Sequence, residues 1–338
     1  MTACDLLGVD GLPVLVDCLL DRNRHLSDMT SSRSDMVALH IVAIVPVYNE
    51  ADIVGQVLNH LHQHGISFVV LDGGSEDGSI EIAQAFKGKG LLEHKVMRRG
   101  VWKYRDDLDC LIQMATRHSA DWIVYTDADE FLEPRQPGQT LHDAIAIEDR
   151  LGFNIIRFDH FLFYLTERDC ESTEPDIRKK LRFYAWHDDY RYKAWKYYPG
   201  ATLRDGGGHY PVFPRKIKPN VSPRKLVMRH YPFRSTQQAV RKVFIERLPR
   251  YAPEERAIRW HSQYDRLEQN AESFVYDSRL LSIYNGTGRW DMTKRVGPSW
   301  QKSPSQESLF GRWSYLRNWA RRRLMICLIL MAKLRGSL

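Results

Sequence analysis

Between His40 and Asp127 short β-branched apolar runs alternate with stretches whose apolar residues fall at helical spacing. His40–Val47 reads as a strand. Asn49 follows as a helix N-cap, with Asp52 three residues on, and Ile53, Val57, Leu58 and Leu61 line one helical face. Gly65 closes that helix and Ile66–Leu71 is a second strand. Ile80, Ala83 and Phe86 mark a second helix, Lys95–Met97 a third strand, and Tyr104–Arg117 a third helix striped by Leu108, Leu111, Ile112 and Ala115. Trp122–Asp127 is the fourth strand, its Trp122–Tyr125 run apolar enough to be buried on both faces. Such alternation predicts an α/β fold with a parallel sheet and right-handed crossovers.

In a sheet of that kind ligands bind outside the C-terminal strand ends. Four clusters fall there. Pro46-Val47-Tyr48-Asn49-Glu50 ends the first strand and would turn backbone N–H groups toward a ligand. Asp72 ends the second, before a Gly, Ser and Asp turn, where a carboxylate can accept from a base or ribose. Arg105, at the start of the third helix, offers a guanidinium to a phosphate. Asp127-Ala128-Asp129-Glu130 ends the fourth strand. In an extended segment Asp127 and Asp129 leave on the same side, and two carboxylates with waters and a diphosphate suit Mg²⁺ or Mn²⁺. Each cluster alone is an ordinary cap, turn or solvated loop. Together, on one edge, they point to a nucleotide site.

These series, Ile44 to Glu50, Val69 to Ser79 and Trp122 to Leu132, resemble in order and spacing the GT-A-fold glycosyltransferases of family 2. The resemblance covers roughly residues 38–135. It implies a GT-A fold: a Rossmann-like, mostly parallel sheet flanked by helices, here with a helical, basic C-terminal extension. It implies a metal-dependent, inverting transfer of sugar from a nucleotide-diphosphate sugar donor to an acceptor hydroxyl, in glycan or glycolipid synthesis. Carried over by position, Pro46, Tyr48, Glu50 and Asp72 line the nucleotide pocket, and Asp127 and Asp129 hold metal and sugar. Enzymes of this fold commonly add a metal ligand from a later His. His230, after the probable strand Leu226–His230, looks like that position, with His209 as competitor. Arg234, with Arg241 or Lys242, would neutralise the leaving diphosphate. Two departures stand out: Gly73 where the family often has a second Asp, and Arg105-Asp106 where it often has Arg-Asn. Inversion needs a general base, for which Asp188, Asp189 and Asp205 are the candidates.

Past Pro134 the pattern loosens. Phe153–Phe158 and Arg182–Trp186 are strand candidates, and Ser235–Leu248 and Pro253–Leu267 read as helices. The aromatic-rich Phe183–Tyr198 either stacks on sugar or lipid or forms β core. The expected organisation is an N-terminal extension (1–36), a GT-A domain (37–234) with a nucleotide half (37–135) and an acceptor half (136–234), a helical extension (235–284), a linker (285–311) and an amphipathic basic tail (312–338). In that tail Arg321-Arg322-Arg323 precede nine apolar residues, too few to span a bilayer but suited to an anionic interface or to packing on protein.

The 338 residues carry a net charge of +7, with the excess after Arg178. That fits an anionic partner without naming it. Five scattered cysteines argue for a reducing compartment and against a disulfide framework. With no signal peptide and no spanning run, a cytoplasmic protein, peripheral at the inner membrane face, is expected. The acceptor would then be a glycan or a lipid-linked sugar. No nucleic-acid motif is present, and nucleic acid is not an expected partner. The alternatives are a nucleotidyltransferase or metal phosphohydrolase on a similar sheet, or a non-catalytic membrane-docking module.

Overall fold

The computed structural model describes residues 39–97, 104–170, 172–203, 209–250, 267, 269–270 and 272–295. The fold below belongs to the unit His40–Leu338.

The strands of the first half are β1 (Ile41–Val47), β2 (Ser67–Asp72), β3 (Leu91–Val96) and β4 (Trp122–Tyr125). Those of the second are β5 (Glu130–Glu133), β6 (Ile155–Phe163), β7 (Phe183–Lys196) and β10 (Leu226–His230). A two-stranded ribbon, β8 (Thr202–Leu203) and β9 (Pro211–Val212), lies between β7 and β10 in the chain, and β11 (Ser282–Ile283) pairs with β7. The nine-stranded sheet runs β3-β2-β1-β4-β7-β6-β10-β5. It is parallel from β3 to β4 and mixed beyond, because β7 enters antiparallel to both β4 and β6. The expected mostly parallel sheet is thus wholly parallel in its first half, while in the second β6 and β10 pair in parallel and β5 and β7 run antiparallel to their neighbours.

The strands β1, β2, β4 and β10 and the third helix lie within two residues of their expected places, while β3 begins four residues before the expected Lys95. Helix α1 (Val54–Gln63) buries Val54, Val57, Leu58 and Leu61, and Gly65 (φ 72°) ends it. Helix α2 (Ser79–Gln84) follows the β2 turn. Helix α3 (Tyr104–Arg117) packs Leu108, Leu111, Ile112 and Ala115 into the core with Val42, Ile44, Val69 and Leu71. β4 is buried throughout. Helices α4 (Leu141–Arg150) and α5 (Ile177–Lys180) flank the second half, with Thr140 and Asp176 as caps.

Other expectations are corrected. Asn49 is not the cap of α1: the residue before the helix is Ile53, and no side chain caps it. Asn49 has φ 51° and instead ties the β1 loop to the β2 loop. The long β7 absorbs both the Arg182–Trp186 strand and the aromatic stretch, whose Tyr184, Trp186 and Trp195 are buried core. The Ser235–Leu248 helix begins as α6 (Thr236–Val240), capped by Ser235, and widens into a π-helical turn over Arg241–Arg247. The start of the expected linker is packed: Trp290 stacks on Phe161 at 4.1 Å and on Tyr284 at 4.5 Å. Extension 1–36, helix Pro253–Leu267 save its last residue, and tail 312–338 lie outside the described residues. No helix among the described residues is long and apolar enough to cross a membrane.

Candidate active site

Register sets the site. Val47 pairs with Asp72, so β1 and β2 end together, and β4 ends on the same edge level with Ile44, three residues short of them. Leaving β4, the chain turns at Thr126–Asp129 and starts β5 at the far edge of the sheet. There Glu130 pairs with His230 of β10, and the Tyr231 amide donates to Asp129 O at 2.9 Å. The acidic turn therefore crosses from one half of the sheet to the other and meets His230, about a hundred residues later.

The first two loops are laced together. The amides of Asn49, Glu50 and Ala51 donate to Ser75 Oγ, Ser79 Oγ and Asp77 Oδ2 at 2.8–3.0 Å. These donors, expected to face a ligand, are consumed by the turn. Asp72 is fully buried and accepts from Gly74 N, Ser75 N and Ser75 Oγ at 2.6–2.8 Å. It holds the loop's shape. Pro46 and Tyr48 sit half-buried on the same edge. The Arg250 guanidinium lies 3.7 Å above the Tyr48 ring and donates to Gly73 O at 3.0 Å, beside the position where the family often carries a second acid. Arg105 is exposed on the first turn of α3.

The Asp127-Ala128-Asp129 turn does not send its two carboxylates the same way, because it is not extended. Asp127 Oδ1 accepts from the Tyr125 hydroxyl at 2.8 Å, and its other oxygen is 3.7 Å from Lys193 Nζ. Asp129 is buried. Its Oδ2 accepts from Lys242 Nζ at 2.7 Å, and its Oδ1 is 3.5 Å from His230 Nε2. Burial works to raise the Asp129 pKa, but Lys242 and then His230 override it and hold the carboxyl well below the usual range. Lys242 also donates to Glu50 Oε1 at 2.6 Å, and Glu50 Oε2 takes Arg234 at 2.5 Å. Arg234 is completed by Asp52 at 2.7 Å and Tyr231 O at 3.0 Å. It clamps the β1 loop to the segment after β10.

β7 adds Arg191 and Lys193, which the sequence did not single out, to the candidate base Asp189. The β7 residues His187, Asp189, Arg191 and Lys193 alternate along one face. Lys193 is wholly buried. It donates to Glu130 Oε2 at 2.6 Å and sits 4.5 Å over the Tyr125 ring. Burial, only partly offset by Lys193, pushes the Glu130 carboxyl up, and Glu130 Oε1 is buried with no hydrogen-bond partner among the described residues. Asp189 accepts from His160 Nδ1 at 3.1 Å and from Arg191 Nε at 2.8 Å. Burial opposes its ionisation, yet His160 and Arg191 hold it far below the ordinary carboxylate range. That leaves it a poor proton acceptor. Asp188 points to the opposite, exposed face. Asp205 lies outside the described residues. His209 is buried against Arg191 and edge-on to Tyr125. The alternation of Asp189, Arg191 and Lys193 with Tyr190 and Tyr192 was the available signal for this stripe.

Among the described residues no group of three His, Cys, Asp or Glu is arranged to hold a metal ion. The donor chemistry nevertheless fits Mg²⁺ or Mn²⁺ with two protein ligands. Asp129 Oδ1 and His230 Nε2 converge at 3.5 Å, and such ions are often bound by one or two side chains with substrate phosphates and water completing the shell.

Residues 42–159 match the model of the family described as glycosyl transferase family 2. These residues are similar to the family 2 glycosyl transferases. The family 2 match begins in β1 and ends within β6, so it contains Asp127 and Asp129 but neither the β7 stripe nor His230 and Lys242. No curated protein matches the chain. Among solved structures, S. aureus TarS is similar at 16% identity over 47% of this chain and 28% of that one, with a TM-score of 0.30. A TarS 1-349 structure is similar at 15% identity over 61% and 63%, with a TM-score of 0.35. Another, in complex with UDP-GlcNAc, shows 18% identity over 43% and 39%, with a TM-score of 0.28. The chain thus spans less than two thirds of each of these TarS chains.

Proposed function

We propose that this chain transfers a sugar from a nucleotide-diphosphate sugar to an acceptor hydroxyl, with inversion, at the edge where β1, β2, β4 and β10 end. The observation that carries the reading is the convergence of Asp129, His230 and Lys242 beside a segment similar to the family 2 glycosyl transferases. Asp129 and His230 would hold Mg²⁺ or Mn²⁺, with Asp127 beside them toward the ribose. When bound, that ion supplies positive charge against the diphosphate as the sugar–phosphate bond breaks.

The chain's own residues do the rest. Lys242, shared between Asp129 and Glu50, is a charge within reach of a diphosphate seated on Asp129. Arg234 keeps Glu50 and Asp52 fixed so that Lys242 stays at this edge. Pro46, Tyr48 and Arg250 frame the base, with Arg105 on the phosphate side. The acceptor, a glycan or lipid-linked sugar, approaches from the second half of the sheet. The basic segment 312–338 docks on an anionic membrane face.

Calorimetric titration with UDP and GDP, with and without Mn²⁺, tests the donor site. The account expects metal-dependent binding of one nucleotide, and a chain that binds neither is not this enzyme. Deleting 312–338 is expected to abolish sedimentation with phosphatidylserine liposomes while nucleotide affinity is unchanged. Liposome binding that survives the deletion places the contact elsewhere.

A further inference from the structure

His160 on β6, Asp189 on β7 and His230 on β10 stand on three neighbouring strands. His160 pairs with His187 across β7 and with Met228 across β10, so His230 lies two residues along on the same face. The contacts run in line. Asp189 Oδ2 is 3.1 Å from His160 Nδ1, His160 Nε2 is 3.3 Å from His230 Nδ1, and His230 Nε2 is 3.5 Å from Asp129 Oδ1. His160 is almost fully buried, and Asp189 is anchored by Arg191 Nε at 2.8 Å.

We propose that Asp189 and His160 are positioning residues that set the tautomer of His230, so that its Nε2 presents a bare lone pair beside Asp129 Oδ1. The hydrogen-bonding roles follow one from the next. An ionised carboxylate can only accept, so His160 must donate from Nδ1. A neutral imidazole with its proton on Nδ1 has an acceptor at Nε2, so His230 must donate from its own Nδ1. That leaves His230 Nε2 without a proton, facing a carboxylate oxygen. Two Lewis bases brought together with no hydrogen between them call for a cation. Carboxylate–imidazole partners commonly orient metal-binding histidines in this way. Here one further imidazole lies between the carboxylate and the ligand. The candidate base Asp189 thereby gains a different role, through His160 and away from the acceptor.

This inference rests on the metal site proposed above. Its test separates the two. Long-range ¹H–¹⁵N spectra of metal-free, histidine-labelled full chain at pH 8 report which nitrogen of His230 carries the proton. Mn²⁺ alone, titrated by electron paramagnetic resonance, reports affinity. The wild type is expected to carry the proton on Nδ1. His160→Phe, which removes the acceptor, is expected to shift His230 toward the Nε2–H form and to weaken Mn²⁺ binding about 10- to 100-fold. His160→Gln keeps a carbonyl acceptor and is expected to restore most of both. An Nε2–H form in the wild type overturns the proposal, as does a folded His160→Phe that binds Mn²⁺ as tightly as wild type. Should His160→Phe not fold, the wild-type tautomer and the His160→Gln affinity decide. A wild type with the Nδ1–H form that binds no Mn²⁺ overturns the metal reading instead, and with it the purpose assigned to the relay.

Discussion

In the parallel half of the sheet, Asp72 finds all its partners within three residues, in Gly74 and Ser75. Three other acids at this edge find their partners at long range. Asp129 takes Lys242 from 113 residues away, Glu50 takes Arg234 from 184, and Glu130 takes Lys193 from 63. Both arrangements bury carboxylates at the same edge. The first satisfies its acid with neutral donors and makes a rigid loop. The second satisfies its acids with cations on other strands, which leaves charges that a substrate can recruit. A buried acid held by its own turn is scaffold, and one held by a distant cation is poised for exchange.

The contrast is sharpest at Lys193. Lys193→Met strands Glu130 at zero exposure of the lysine and 1% of the glutamate. It is expected to cost about 3–5 kcal/mol in urea denaturation. Glu130→Gln added to it is expected to recover more than half, a coupling that only a double-mutant cycle exposes. Additive losses would mean that the pair does not act as a unit. Arg234→Met comes next, at about 3 kcal/mol, because Lys242 still serves Glu50 and the half-exposed Asp52 relaxes toward water.

The packing of α1 on β5 offers a pH handle. Burial first, then the neighbouring His64, lowers the His60 pKa to about 3, and its Nε2 is 2.9 Å from Leu132 O. Between the ordinary value of 6.5 and about 3, the unfolded chain binds a proton at this site that the folded chain refuses. Stability is therefore full above pH 6.5 and falls as pH drops, by about 1.4 kcal/mol per unit from this residue. His60→Gln is expected to flatten the stability–pH slope by that amount, and an unchanged slope would show that His60 titrates normally. The smallest effect belongs to the locally satisfied turn. Ser75→Ala removes one donor to Asp72, whose two amide partners remain, and the acceptor of the Asn49 amide, and is expected to cost about 1–2 kcal/mol.

The same contrast explains what could be read in the sequence. The parallel half was legible because its signals are local: β-branched runs for β1, β2 and β4, the helical stripe of α3, glycines with positive φ at Gly65, Gly74 and Gly78. Asn49 misled because a cap and a loop clasp use the same side chain, and only the β2 turn decides between them. His230 was findable as a histidine ending a strand. The family resemblance placed it with Asp129, but its contact with His160 was not legible, since that depends on β6 lying beside β10. Lys193 and Arg191 were hidden by their tyrosine neighbours, which drew attention to aromatic stacking and away from the alternate, ionisable face of β7.

The central claim is that Asp129 and His230 form the metal end of a nucleotide-sugar site. It is tested most directly by calorimetric titration of Mn²⁺ with the preferred nucleoside diphosphate into wild type, Asp129→Asn and Ser75→Ala. Metal-dependent nucleotide binding is expected in wild type and in Ser75→Ala, and its loss in Asp129→Asn. Equal, metal-independent affinity in wild type and Asp129→Asn would contradict the account.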